Sequence, residues 1–434
     1  MTSQDVIASN PAADSLQASS SNSKKWIVAG ILSAGLGLDY LARLAINSVF
    51  PLLRQDLQMT DFEIGLSATA FLWTYALLSP LAGFAGDKFP RRTVLALSVV
   101  SWGGVTLLCG FATETWQLLV ARVLLGVSQA CYIPTAQALI TDLHTPRTQA
   151  KAIGIFMAGC YVGVFASGMP VAWVSTSFGW RTMFLLIGGI SLVFALSMSY
   201  IPRVQPRKST PDPSSDPLSQ GSSIDSVKLL LRNKAFAGIL IAFALSGAAY
   251  FILFTFLPLF IFENFGLSVE AAAFQATFYM QVGALILNPI FGAVADRQSS
   301  QQPRNRFYFA AITAATALPA LAVVGFGKTT LLLTGGLLFF GVAMAGTDVS
   351  WTPMLSTVVS ERNRATAYGI MNMASCFAGG TATFAGALLM KSHGLGGLMA
   401  SGGIMFLVLA ILLAITGTLR FQRSAVLKQT IQPS

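Results

Sequence analysis

Four ionisable residues interrupt stretches of sequence that are otherwise apolar. Asp39 and Arg43 lie four positions apart in one stretch, Arg122 lies in a second, and Asp348 in a third. A charge at the centre of a bilayer costs about 2.5–3.5 kcal/mol on insertion scales, so each group is expected to face water, a partner or a ligand. Guanidinium groups bind carboxylates through paired hydrogen bonds, which makes Arg43 and Arg122 candidates for anion binding. Buried carboxylates can carry protons, which makes Asp39 and Asp348 candidates for proton coupling.

Structural roles compete with these assignments. A spacing of four puts Asp39 and Arg43 on one helix face, so an intrahelical ion pair would account for both. Arg122 would instead hydrogen-bond backbone carbonyls or extend toward the outer surface. Two guanidinium groups beside one cavity repel each other unless an anion or a carboxylate lies between them, and this favours the functional interpretation.

Further polar and aromatic residues lie inside apolar stretches and are candidates to line the same cavity. Single buried Tyr or Gln residues more often join helices than bind ligands, so a packing role is the alternative for each. The substrate-binding candidates beside the two arginines are Tyr40, Gln129, Tyr132, Tyr279, Gln281, Trp351 and Asn372.

The elements that carry these residues are predicted to cross a membrane. Hydrophobic residues make up 54% of the 434 residues, charged residues make up 10%, and the mean hydropathy is +0.66. Twelve apolar runs reach the length of about 20 residues that spans a bilayer. They are 26–49, 64–86, 92–112, 116–141, 151–175, 182–201, 235–262, 270–295, 307–327, 329–357, 365–390 and 398–419.

The distribution of basic residues predicts the orientation. Lys and Arg accumulate on the cytoplasmic face of membrane proteins. If both termini are cytoplasmic, that face holds all 27 Lys and Arg residues except Arg43, Arg54, Arg122, Arg181, Lys328 and Lys391. We therefore expect a multi-pass protein of the inner or plasma membrane with both ends in the cytoplasm. The net charge of +10 does not indicate a nucleic-acid partner, because the basic residues are strung between apolar runs.

A repeated loop pattern indicates an internal duplication. GFAGDKFPRR at 83–92 and GAVADRQSSQQPRNR at 292–306 share a Gly, an Asp and a basic residue at the same spacing. Two repeats of six helices are typical of transporters that rock about a central site. The expected organisation is a disordered tail at 1–23, a six-helix bundle at 24–202, a linker at 203–234, a second bundle at 235–420 and a tail at 421–434.

The same loops predict a gate on the cytoplasmic side. Gly83 and Gly292 would let two helices approach closely, and Asp87 would meet helix N-termini or a nearby arginine. Asp142, at the end of the fourth apolar run, is a candidate partner for Arg91 or Arg92. The predicted gate residues are Gly83, Asp87, Arg91, Arg92, Asp142, Asp296 and Arg297.

The loop pattern and the twelve-segment plan resemble the major facilitator superfamily over residues 25–420. This resemblance implies an all-α membrane protein with twelve transmembrane helices in two pseudo-symmetric six-helix bundles. In that superfamily the loop motif helps to hold the cytoplasmic side closed. The resemblance therefore implies that Asp87, Arg91 and Arg92 belong to the gate and not to the substrate site.

A narrower likeness lies in DYLARLAINSVFPLL at 39–53 and ARVLLGVSQ at 121–129. Both resemble the anion:cation symporter branch, which moves sugar acids and other organic anions, and the related spinster-type carriers of lysolipids. This chain keeps the two arginines of those groups but has Ala42 and Gln129 where they have acids. The resemblance implies proton-coupled symport of a small organic anion, while Gln129, which cannot titrate, leaves exchange or uniport open.

Three other functions remain open from the sequence. They are a lysolipid carrier, a proton-driven drug or metabolite efflux antiporter, and a transporter-like receptor. GVFASGMPVAWV at 163–174 lacks the terminal glycine pair of drug antiporters, which places efflux second. Two histidines near helix ends offer neither a metal cluster nor a catalytic triad, so we expect no enzyme activity and no cofactor. The expected partners of a monomer are a small anionic substrate, a proton and the lipid bilayer.

Overall fold

The computed structural model describes residues 11–202, 223–360 and 364–431. Side chains are described for these residues except 11–23, 80–88, 146–147, 150, 223–226, 301, 365, 391 and 421–431. Most of the predicted linker lies outside the described residues, so the boundary between the two bundles stays a prediction.

Six membrane spans form the first half of the chain. A short helix, Phe50–Asp56, follows span 1, and a 3-10 turn, Leu196–Tyr200, ends span 6. The spans are span 1, Pro11–Ser48; span 2, Asp61–Lys88; span 3, Arg91–Gly110; span 4, Thr115–Gln129 with Tyr132–Leu143; span 5, Pro146–Ala166 with Met169–Phe178; and span 6, Trp180–Ala195.

The second half repeats this plan after a helix at Ser223–Arg232. Spans 11 and 12 belong to one long helical segment that breaks at Gly394, whose φ of 66° is left-handed and suits glycine. The spans are span 7, Lys234–Phe265; span 8, Val269–Gln301; span 9, Asn305–Ala315 with Ala317–Phe326; span 10, Thr330–Val358; and spans 11 and 12, Arg364–Ile431.

The prediction of an all-α membrane fold is confirmed. Among the described residues, 11 helices are long and apolar enough to cross a membrane, and the bent pair of span 5 brings the number to 12. The apolar runs located the spans because each must bury its backbone hydrogen bonds within a helix of bilayer length.

Span 5 bends by 40° where the sequence predicted one continuous run. Pro170 lacks the backbone N–H that would continue the hydrogen-bond ladder, and Gly168 precedes it. A Cβ atom at Gly168 would lie 2.1 Å from the Thr277 hydroxyl oxygen, so glycine lets span 5 contact span 8 closely at this point. The bend therefore serves packing between the two halves.

Both predicted tails differ from expectation where the structure describes them. The helix of span 1 begins at Pro11, and the helix of span 12 continues to Ile431. Proline suits the first turn of a helix, and neither segment beyond it contains a Gly or Pro that would end the helix. Composition indicated disorder, but the described helices continue through both segments. Residues 1–10 lie outside the described residues.

The two halves meet on the side opposite the termini, which we call the far side. Thr69 of span 2 donates a hydrogen bond to the carbonyl of Gly380 in span 11 at 2.9 Å. Trp73 Nε1 donates to the Thr381 hydroxyl at 3.2 Å, one helical turn further along span 2. Spans 2 and 11 thus contact each other in the far-side half of span 2.

Candidate functional site

Asp39 and Arg43 form a buried ion pair inside span 1. Arg43 Nη2 lies 2.9 Å from Asp39 Oδ2, and the side chains of Arg43 and Asp39 are 6% and 0% exposed. Gln129 of span 4 accepts a hydrogen bond from Arg43 Nε at 3.3 Å and donates one to the backbone oxygen of Asp39 at 3.0 Å. The intrahelical pair is therefore present, and Gln129 ties it to span 4.

Arg122 is held by backbone carbonyls. Its Nη1 donates to the carbonyl of Arg43 at 3.1 Å, and its Nε donates to the carbonyl of Ser67 at 3.3 Å. The residue is 3% exposed. This is the structural arrangement that the sequence left as an alternative, and a substrate-binding role for Arg122 stays a prediction.

Aromatic rings surround both guanidinium groups. The Arg43 guanidinium carbon lies 4.8 Å from the Tyr40 ring centroid, 5.0 Å from that of Phe71 and 4.7 Å from that of Tyr75. Arg122 lies 4.8 Å from the same Phe71 ring. The electron-rich faces of these rings attract cations.

The inference that only an anion or carboxylate between Arg43 and Arg122 would relieve their repulsion is therefore incomplete. Asp39 neutralises one guanidinium group, and the Phe71 ring contacts both. We call Asp39, Arg43, Phe71, Arg122 and Gln129 the arginine cluster. One carboxylate against two guanidinium groups leaves the cluster with one excess positive charge.

The arginine cluster also has an unused acceptor and a neighbour in the other half. Asp39 Oδ1 is buried and has no hydrogen-bond partner. A buried carboxylate oxygen without a donor is costly, which makes this atom a natural place for a proton. Cys376 of span 11 packs in the same apolar core as Phe71 and Tyr75, so the cluster lies where the two halves meet.

Asp348 faces the space between the halves. It lies near the middle of span 10, yet its side chain is exposed. Thr352 and Ser356, at successive spacings of four, are exposed on the same side of the helix, and such a polar stripe suits a wet cavity. Tyr161, from the other half and 41% exposed, lies within electrostatic range of Asp348.

The remaining substrate-binding candidates divide into two groups. Asn372 is exposed in span 11, and Tyr279 and Gln281 are partly buried in span 8. Tyr132 is fully buried, donates to the carbonyl of Leu32 at 2.9 Å, and its ring centroid lies 5.0 Å from that of Trp102.

Trp351 is 5% exposed, and its ring packs edge-on against Phe243 at 5.0 Å. The structure thus packs both Tyr132 and Trp351 inside the cores of their own halves and away from the cavity. Large aromatic side chains gain more from burial than from lining water, which is the physical reason.

Ion pairs occupy the predicted gate loops on the terminal side. Arg91 Nη2 lies 3.1 Å from Asp142 Oδ2, one of the two pairings that the sequence suggested. Asp296 pairs with Arg306 at 2.6 Å, while the side chain of Arg297 is exposed. Arg306 was missed, although it ends the second copy of the loop pattern. The gating role of these pairs stays a prediction.

The two glycines of the gate loops were predicted to let helices approach closely. A Cβ atom added at Gly292 would meet nothing within 4 Å, so the expected close helix approach is absent there. The neighbouring residues of span 8 are largely exposed, because the halves meet on the far side instead. The packing around Gly83 and the side chain of Asp87 lie outside the described part of the chain, and Arg92 is partly buried.

Comparison with known proteins identifies the family. The model of the Major Facilitator Superfamily matches residues 32–383 of the chain. The chain belongs to the major facilitator superfamily. It is an integral, multi-pass membrane protein of a family of transporters, and the resemblance of its loops to that family is confirmed.

Two curated relatives show which members of the superfamily the chain is similar to. The chain is 24% identical to the hexuronate transporter of Bacillus subtilis (strain 168) over 85% of this chain and 92% of the relative. It is 30% identical to protein spinster homolog 1 of Xenopus tropicalis over 49% of this chain and 41% of the relative. The match therefore spans less than half the length of the spinster protein.

A solved structure shares the fold. It is a bacterial homologue of the human lysosomal transporter spinster, in an inward-facing and unoccupied conformation. The TM-score is 0.77 with 19% sequence identity, and the match covers 95% of this chain and 99% of the other.

Proposed function

We propose that the protein is a secondary transporter that moves a small organic anion of the sugar-acid class by alternating access. The observation that carries this proposal is the arginine cluster, in which two guanidinium groups face one carboxylate at the junction of the two halves. The excess positive charge would attract an anion. The likeness to a hexuronate transporter along most of the chain supports the same substrate class.

The geometry of Asp39 supports proton coupling. In the described structure the Asp39 carboxylate is paired with the Arg43 guanidinium group. A proton on Asp39 would end the ion pair and free the Arg43 guanidinium for a substrate carboxylate. The proton and the anion would then enter the site together, and because their charges cancel, the loaded site would carry the same net charge as the empty one. Asp348, exposed to the cavity, is a second proton carrier in this scheme.

The state of the transporter follows from the orientation predicted by the basic residues. With both termini in the cytoplasm, the far side is extracytoplasmic. The contacts of span 2 with span 11 lie on that side, which supports an inward-facing assignment for the described conformation. The site would open to the far side if the contacts between spans 2 and 11 separated and the loops that contain Arg91 and Asp296 closed the terminal side.

Thermal stabilisation tests the substrate class. A ligand that binds the folded protein raises Tm in proportion to its occupancy. Sugar acids, other organic anions, lysolipids and cationic dyes are added to the purified wild type, to Arg43→Ala and to Arg122→Ala. Arg181→Ala, which breaks a surface pair with Asp56, serves as the control.

We expect a sugar acid to stabilise the wild type and the control but neither cluster variant. Stabilisation by lysolipids or cations that persists in the cluster variants would instead make Arg43 and Arg122 structural and the substrate class wrong.

A further inference from the structure

A short helix precedes the second half of the chain on the terminal side. The helix Ser223–Arg232, which we call the surface helix, is separated by a single residue from span 7, which begins at Lys234. That residue, Asn233, has an extended backbone with a ψ of 106°, and its side chain accepts hydrogen bonds from the backbone N–H groups of Ala235 and Phe236. The surface helix is therefore not a continuation of span 7. It lies at the level of the membrane surface, where that span starts.

One leucine holds the surface helix to the protein, and two others are exposed. Leu230 is 4% exposed, whereas Leu229 and Leu231 are 64% and 50% exposed. Leucine side chains at the edge of a bilayer are stabilised when they enter the boundary between headgroups and acyl chains, because this removes apolar surface from water. The two exposed leucines therefore indicate contact with lipid.

Basic side chains accompany these leucines. Lys228, Arg232 and Lys234 are all exposed. The segment 223–234 contains one acidic residue, Asp225, so its three positive charges and one negative charge leave a net charge of +2. Apolar residues combined with Lys and Arg, next to a membrane span, are typical of segments that bind anionic membrane surfaces.

A groove of about 320 Å³ lies between the surface helix and the end of span 10. This volume lies within the range of about 300–1,000 Å³ that is usual for ligand sites. Leu229 and Val358 contribute apolar walls, Arg232 contributes a guanidinium group, and none of the described residues that line the groove is acidic. The Asn233 side-chain amide donates to the carbonyl of Val358 at 3.2 Å and so fixes the two sides of the groove to each other.

We propose that the surface helix and this groove bind an anionic phospholipid of the terminal-side leaflet. Arg232 pairs with the lipid phosphate, Lys228 and Lys234 lie at the level of the headgroups, and Leu229 and Leu231 enter the acyl layer. In the predicted orientation this leaflet is the cytoplasmic one, whose anionic lipids attract basic segments beside membrane spans. Neither the arginine cluster nor the gate loops take part, so the inference is independent of the proposed transport.

Native mass spectrometry of the full-length protein, released from detergent micelles, tests the site. Phosphatidylglycerol and phosphatidylcholine with the same acyl chains are added in separate titrations. We expect the wild type to bind phosphatidylglycerol more tightly. Arg232→Gln should weaken the binding of this lipid about five-fold, as expected for one basic residue near an anionic surface. Leu229→Ser keeps the charge but should also weaken binding, because it removes an apolar wall of the groove.

Arg304→Gln is the matched control. Arg304 is exposed in the loop between spans 8 and 9, on the same side of the membrane but outside the groove. We expect it to bind both lipids like the wild type. Equal affinities of the wild type for the two lipids, or equal losses in Arg232→Gln and Arg304→Gln, would overturn the proposal. A loss in Arg232→Gln without one in Leu229→Ser would overturn it as well, since the groove would then bind a soluble anion and not a lipid.

Discussion

The guanidinium group of Arg122 donates a hydrogen bond to the backbone carbonyl of Arg43 at 3.1 Å. Among the described residues of the first half, the two most buried basic residues are thereby joined through the backbone and through the shared ring of Phe71. Any movement of span 4 relative to span 1 must disturb both. The arrangement explains how two like charges coexist in an apolar bundle before a substrate arrives.

The shared ring should stabilise the fold beyond its hydrophobic contribution. Phe71→Leu removes the aromatic face from two guanidinium groups, and each such contact is worth about 0.5–2 kcal/mol. Phe406→Leu is the control, because Phe406 is equally buried but packs against Tyr250 and Phe340. We expect Phe71→Leu to lower Tm in detergent clearly more than Phe406→Leu. Equal losses of Tm in the two variants would mean that the Phe71 ring contributes only hydrophobic packing.

Gln129 sets the charge of the cluster, and a carboxylate there should weaken anion binding. Gln129→Glu adds a negative charge 3.3 Å from Arg43 Nε and cancels the excess positive charge. We expect the Tm shift caused by a sugar acid to fall at pH 7 and to return partly at lower pH, when the new carboxylate is protonated. Gln298→Glu, at an exposed position of span 8 outside the candidate site, is the control. Unchanged ligand stabilisation would show that the net charge of the cluster does not govern binding.

The ion pair of the first gate loop should contribute more to stability than that of the second. Asp142 is 23% exposed and Asp296 is 72% exposed, while their partners Arg91 and Arg306 are each 9% exposed. Water screens the exposed carboxylate more strongly. We expect Asp142→Asn to cost about 1–2 kcal/mol and Asp296→Asn less than about 0.5 kcal/mol. Equal losses of Tm in the two variants would contradict this ranking.

His144 should make the fold sensitive to mild acid. Burial against Trp26 lowers the pKa of His144 below its usual value, and the nearby Lys25 ammonium acts in the same direction. The folded state therefore binds fewer protons than the unfolded state just below pH 6.5, so the stability from neutral His144 is present above that pH and is lost as the pH falls.

Melting curves between about pH 7.5 and 5 check this sign. We expect the loss of Tm at low pH to be smaller in His144→Gln than in the wild type. His393→Gln, which changes an exposed side chain, should melt like the wild type throughout. A larger acid-induced loss in His144→Gln than in the wild type would contradict the lowered pKa of His144.

The sequence predicted the spans and the buried charged residues more accurately than it predicted the contacts between helices. Bilayer length and hydropathy constrain a helix on its own, so the twelve runs could be read directly. The spacing of Asp39 and Arg43 likewise predicted an intrahelical pair, since both lie on one helix face. The close approach of Gly168 to Thr277 could not be predicted from local sequence, because Thr277 belongs to the other half.

Side-chain direction accounts for most of the remaining differences. Tyr132 and Asn372 are both polar residues in apolar runs, but the first is buried in a core and the second is exposed. The difference depends on how each helix is rotated within its bundle. The sequence predicted backbone carbonyls as partners of Arg122 but did not identify them. Ser67 comes close to Arg122 only when spans 2 and 4 pack together.

Uptake of a labelled hexuronate into proteoliposomes, with an inward proton gradient, tests the proposed transport most directly. The wild type, Arg43→Gln and protein-free liposomes are compared, with and without a proton ionophore. We expect accumulation by the wild type that collapses with the ionophore and is lost in Arg43→Gln. Uptake no greater than in protein-free liposomes, or equal accumulation by Arg43→Gln, would contradict an organic-anion transporter that works through the arginine cluster.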